Sequence, residues 1–62
     1  MTKILLSVTE TAEVLSLSER TIWEMSKKHE IPHVHYGRRV LFPADALREW
    51  AVKQTEGGNN DD

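Results

Sequence analysis

The chain has sixty-two residues, with eight Lys and Arg against ten Asp and Glu, a net charge of −2 and a pI of about 5.9. A chain this short buries only about 60% of its unfolded surface, which predicts one domain with a small core and little volume for a catalytic cleft. The absence of cysteine excludes a disulfide framework and a thiolate metal site, and no apolar run approaches the ~20 residues of a membrane span.

The opening MTKILLSVTE carries one Lys and the short run Ile4-Leu5-Leu6, less than the apolar stretch of a secretory leader. A small soluble domain of the cytoplasm is expected. In SVTETAEVL, Ser7 and Glu10 have the S-x-x-E spacing of a capping box. Leu6 and Thr11 stand at the N′ and N4 positions of a weak hydrophobic staple. Val8, Ala12 and Leu15 recur at helical spacing, which predicts a first helix over 8–15. Ser18 is a strong N-cap for a second helix over 19–28, with Leu17 and Ile22 as its staple. Ile22, Met25 and Ser26 form its inner face, and Lys27 and Lys28 suit its negative end. Only Ser16-Leu17-Ser18 separates the two, which is a helix-turn-helix.

Pro32 stops the second helix and pushes Ile31 toward extended geometry. HVHYGRRVLF follows, with apolar and strand-forming residues around Gly37-Arg38, and predicts a hairpin over 33–36 and 39–42. FPADALREWAVKQ predicts a third helix, with Pro43 in its first turn and Leu47, Trp50 and Ala51 on one face. The tail from Thr55 is mostly Gly, Asn and acid and is expected to be a disordered acidic segment over 55–62, following a domain over 1–54. The fold class expected is a small α+β winged helix-turn-helix, three helices plus a two-stranded hairpin wing. Its expected core is Val8, Ala12, Leu15, Ile22, Met25, Val34, Val40, Phe42, Leu47 and Trp50.

The charge is unevenly placed. The last eight residues hold three acids and no base. Between Arg20 and Arg39, five bases meet two acids, a local excess of the sign that nucleic acid attracts. If Ile22 and Met25 face inward, Glu19, Arg20, Trp23, Glu24 and Lys27 face outward, on a helix that fits a DNA major groove about 12 Å wide. Arg20 suits guanine, Glu24 suits the cytosine amino group, and Lys27 and Lys28 suit phosphate. Ser18 and Thr21 open the helix, where hydroxyls and amides meet phosphate. The wing tip, with His35, Gly37, Arg38 and Arg39, suits a minor groove or the flanking backbone. The bland readings stand beside these. Trp23 suits half-buried packing, Arg38-Arg39 a solvated turn, Lys27-Lys28 the helix dipole, and Glu19 and Glu24 solubility. His29, His33 and His35 cross Pro32 and share no helix face, so no metal site or cofactor is expected; His29 ends the second helix and His35 lies on the wing.

The stretch LLSVTETAEVLSLSERTIWEMSKKHEIPHVHYGRRVLFPADALREWA resembles the excisionase-type winged helix-turn-helix domain, related to the DNA-binding domain of the MerR family. SVTETAEVLSLSERTIW is similar to the opening helix, turn and recognition helix, EIPHVHYGRR to the exit and wing, and ADALREW to the closing helix. The resemblance implies a major-groove role for Arg20, Thr21, Trp23, Glu24 and Lys27, and a wing-tip role for Arg38 and Arg39. Three positions depart from the pattern: His29 where a Gly is common, His35 where an Arg is frequent, and Leu41 where a polar or basic residue is usual. Leu41 is a candidate protein contact. Free-standing domains of this kind are often recombination directionality factors of phages and mobile elements. The resemblance therefore implies several copies binding adjacent sites on double-stranded DNA, self-association there, DNA bending, and a tyrosine or serine integrase as partner in a bacterial host. It implies no enzymatic reaction. A small MerR-like transcriptional regulator shares the same head, and a protein-interaction module is a further alternative.

Overall fold

In the computed structural model, which describes residues 3–55, the element order is β1 (Leu5–Leu6), α1 (Val8–Leu15), α2 (Glu19–Lys27), β2 (Val34–Tyr36), β3 (Arg39–Pro43) and α3 (Ala44–Lys53). Among these residues no helix is long and apolar enough to cross a membrane. The expected acidic tail, apart from Thr55, lies outside the described residues.

α1 begins with the reciprocal capping box. The Glu10 amide donates to Ser7 Oγ at 3.1 Å and the Ser7 amide donates to Glu10 Oε1 at 2.9 Å. It ends at Ser16, held in the left-handed region at φ 59. The Leu17 amide donates to the Ala12 carbonyl at 3.0 Å and the Ser16 amide to the Glu13 carbonyl at 3.3 Å, the paired bonds of a Schellman stop. That stop reverses the chain tightly enough for Ser18 to cap α2, its Oγ accepting from the Thr21 amide at 3.1 Å. α2 ends in the same way. His29 is left-handed at φ 58, its amide donates to the Ser26 carbonyl at 3.1 Å, and the Glu30 amide donates to the Met25 carbonyl at 2.8 Å. Lys28, expected inside the helix, is its cap.

The wing is longer by one sheet partner than the sequence reading. β2 pairs antiparallel with β3, in the register Val34↔Leu41, His35↔Val40, Tyr36↔Arg39. β3 then continues and pairs on its other edge with β1, Leu6 opposite Phe42 and Leu5 opposite Pro43. The sheet order is β1-β3-β2, and the Ala44 amide extends the ladder to the Ile4 carbonyl at 2.9 Å. Gly37 carries φ 62 at the first of two loop residues, as a type II′ hairpin loop requires. Pro43 is the last strand residue and the extended N-cap of α3, one step before the helical turn expected for it.

Ala12, Ile22, Ile31, Phe42 and Leu47 are buried, with Leu6, Val8, Leu15, Met25, Val40 and Trp50 packed against them. Two core expectations change. Ile31 is buried at 3% exposure, in the bend between the Schellman stop and Pro32, whereas Val34 is 39% exposed. Val34 lies on the edge strand, on the face away from the helices, where alternation puts Tyr36 beside it. Thr11 is fully buried although polar, and its hydroxyl has no hydrogen-bond partner.

Candidate nucleic-acid interface

The outward face of α2 follows from its inner one. Ile22 and Ser26 are buried and Met25 half-buried, so Arg20, Trp23, Glu24 and Lys27, at i, i+3, i+4 and i+7, fall on the exposed side. Nine residues at 1.5 Å each make a helix about 13 Å long, matched to a major groove about 12 Å wide. The Ser26 hydroxyl donates to the Trp23 carbonyl at 2.9 Å, so the polar inner residue is satisfied within its own helix.

Some of the sequence-predicted groups are engaged with one another. Ser18 Oγ and Thr21 Oγ1 lie 2.9 Å apart, which orders the first turn. Glu19 Oε2 accepts from the Thr9 hydroxyl at 2.9 Å and so ties α2 to the start of α1. Arg20 Nε lies 3.5 Å from Glu24 Oε2. Such an exposed i,i+4 pair contributes about 0–1 kcal/mol, so a phosphate or base edge competes with it easily. Lys27 and Lys28 are exposed in the last turn and cap of α2.

A surface concavity of about 330 Å³ joins the two predicted halves of the site. Glu19 and Trp23 of α2 face Arg38, Arg39, Val40 and Leu41 of the wing across it, and Ser7, the N-cap of α1, with Val8 and Thr9 completes its rim. Trp23 is 41% exposed: part of the indole packs and part remains open. Of the predicted site residues, Glu19, Trp23, Arg38 and Arg39 line this concavity; Ser18, Arg20, Thr21, Glu24, Lys27 and Lys28 on α2 and its caps, His35 on β2 and Gly37 at the turn lie outside it. Ser7 and Thr9 are additions that the sequence reading missed; the capping signal at Ser7 marked them only as a helix start. A larger apolar groove, about 510 Å³, runs between α1 and α3 past Leu6, Val14, Leu15, Leu47 and Val52, away from both α2 and the wing tip.

The exit from α2 is pinned by α3. Trp50 Nε1 donates to the Glu30 carbonyl at 2.8 Å, so the residue expected as the largest core side chain is half-buried and also a clasp. Beyond it three imidazoles stand in a row. The His29 and His33 ring centroids are 5.5 Å apart and stacked, and those of His33 and His35 are 5.6 Å apart. Among the described residues no three His, Asp or Glu side chains are placed to hold one metal ion. Glu10 caps α1 through its carboxylate. The Lys3 ammonium beside it, and then the Ser7 amide, hold it below the usual carboxylate range.

No curated protein and no solved structure matches the chain significantly. The family described as "Helix-turn-helix domain" matches residues 5–55, a span that covers every described element from β1 to α3. With the tight Ser16–Ser18 turn, the exposed face of α2 and the basic wing beside it, this shows that the chain belongs to the helix-turn-helix domain family and is a small DNA-binding domain.

Proposed function

We propose that this protein is a sequence-specific DNA-binding excisionase, a recombination directionality factor of the bacterial cytoplasm that acts without chemistry of its own. It binds adjacent sites cooperatively and bends the duplex so that an integrase assembles for excision. The observation that carries the reading is the concavity in which Trp23 of α2 meets Arg38 and Arg39 of the wing. A helix face and a basic wing tip joined by one concave surface engage a groove and its flanking backbone together. In this reading Arg20, Trp23, Glu24 and Lys27 enter the major groove with Glu19. Ser18, Thr21 and Lys28 meet the backbone at the two ends of the helix. His35, Gly37, Arg38 and Arg39 lie on the adjacent strand or minor groove.

A head of this size reads few base pairs, so specificity comes from neighbouring copies and from the deformability of the DNA. The test is selection from random-sequence duplexes by gel shift at about 50 and about 200 mM salt. Binding that weakens with salt and enriches directly repeated sites supports the excisionase reading. Enrichment of one isolated or palindromic site moves the function to transcriptional regulation by the same head. No retention at low salt refutes DNA binding through this surface.

A further inference from the structure

The histidine row lies between the C-terminal end of α2 and the wing strand β2, the two elements assigned to DNA, yet the reading above uses only His35. His29 holds its place against conformational preference. It occupies the left-handed position after a helix, at φ 58, where Gly is the usual residue. A non-glycine residue costs about 1 kcal/mol there. That conformation stacks its ring on His33 at 5.5 Å. His33 is itself fixed, with Nδ1 2.8 Å from the Ile31 carbonyl. A carbonyl only accepts, so Nδ1 carries the hydrogen and Nε2 is the nitrogen free to take a proton. His35 continues the row at 5.6 Å and is exposed, as is His29.

Along the chain, Lys27 and Lys28 at the end of α2 are balanced by Glu30 in the exit loop and by Glu49, the neighbour of the Trp50 whose indole reaches the Glu30 carbonyl. Tyr36 and its cross-strand partner Arg39 lie on the strand face opposite His35, and Arg38 is at the turn. The protons on the imidazoles therefore decide how strongly this surface attracts an anion. We propose that His29, His33 and His35 form a proton-gated phosphate contact, so that DNA binding takes up protons and tightens as the pH falls. The inference rests on the DNA-binding reading above. Its sign follows from charge. A phosphate placed against an imidazole favours the protonated form, so the complex holds more protons than the free protein, and lower pH favours the complex.

The experiment is fluorescence anisotropy of the full chain with a labelled mixed-sequence duplex of about two helical turns, at constant ionic strength. The Kd is expected to fall about tenfold between about pH 7.5 and about pH 5.5. His29→Gly removes one ring and also relieves the left-handed strain. It is expected to raise the Tm and to flatten the pH dependence, so loss of the effect is not loss of the fold. His35→Lys, a permanent cation at the end of the row, is expected to bind more tightly than the wild type at about pH 7.5 and to gain less on acidification; no gain at about pH 7.5 overturns the gate. Binding that persists but changes less than twofold over this range overturns the proton gate and leaves the DNA reading standing. An undiminished pH dependence in His29→Gly overturns it as well. No binding at any pH removes the DNA reading and this inference together.

Discussion

Thr11 is the most testable anomaly in the core. It is fully buried on α1, its amide is used in the helix (to the Ser7 carbonyl at 2.8 Å), and its hydroxyl oxygen has no partner. Thr11→Val replaces that hydroxyl with a methyl of nearly the same size. An unpaired buried hydroxyl costs about 1–3 kcal/mol in lost hydration, and the added methyl gains up to about 0.8 kcal/mol by burial. Val and Thr have similar helix propensities, so little opposes these terms. We expect a stabilisation of about 1–2 kcal/mol. At about 4–8 °C per kcal/mol for a domain this small, the Tm should rise by about 4–16 °C. Thermal melts followed by circular dichroism measure it, and urea melts with an unchanged m-value confirm that the native state itself is stabilised. Thr11→Ser keeps the hydroxyl and loses the methyl, so it should destabilise and thereby separate polarity from packing. An unchanged or lowered Tm in Thr11→Val would refute the reasoning, because it would mean that the hydroxyl is satisfied in solution.

Glu10 should make stability depend on acid. Its folded-state value is depressed by Lys3 and the Ser7 amide, so its contribution is present above the ordinary carboxylate range and is lost as the pH falls through the lower folded value. Glu10→Gln retains an acceptor for the capping box, and its Tm should vary less with pH below about 4 than that of the wild type; equal slopes would contradict the assignment. Trp50→Phe keeps most of the buried ring and removes the bond to the Glu30 carbonyl. It should cost about 1 kcal/mol in urea melts and speed amide exchange in the loop after α2. Arg38→Ala with Arg39→Ala should lower the slope of log affinity against log salt by about 2 if both meet phosphate. An unchanged slope would make the wing tip an ordinary solvated turn.

Local signals carried most of the helical architecture. Ser7 with Glu10, and Ser18, mark helix starts through interactions that span three residues, and α1 and α2 begin where those caps stand. Periodicity placed Ile22 and Met25 inward because a nine-residue helix has only one face to bury. Gly37 marked the hairpin loop because its positive φ is a property of the residue type. The outward residues of α2 and the adjacent arginines of the wing were legible for the same reason: each is fixed by its distance from a cap or a turn.

Features formed between distant segments were not legible. β1 is two residues long, too short for any alternation to register, and its partners Phe42 and Pro43 lie more than thirty residues away. Val34 carried a core composition but fell on the uncovered face of an edge strand, while Ile31 was buried in the bend between a helix stop and Pro32. Ser16 and His29 show no left-handed preference to match that of Gly, yet both adopt that conformation, because the Schellman bonds and the packing beyond them outweigh a local cost of about 1 kcal/mol. The Trp50 clasp and the concavity from Trp23 to Arg39 exist only once α3 and the wing close around the exit of α2. Residue types and spacings thus prescribed the helices, the turn and the basic wing, whose causes lie within a few residues. Chain folding alone brought together the groups separated by ten to forty positions, because contact between them depends on packing rather than on sequence distance.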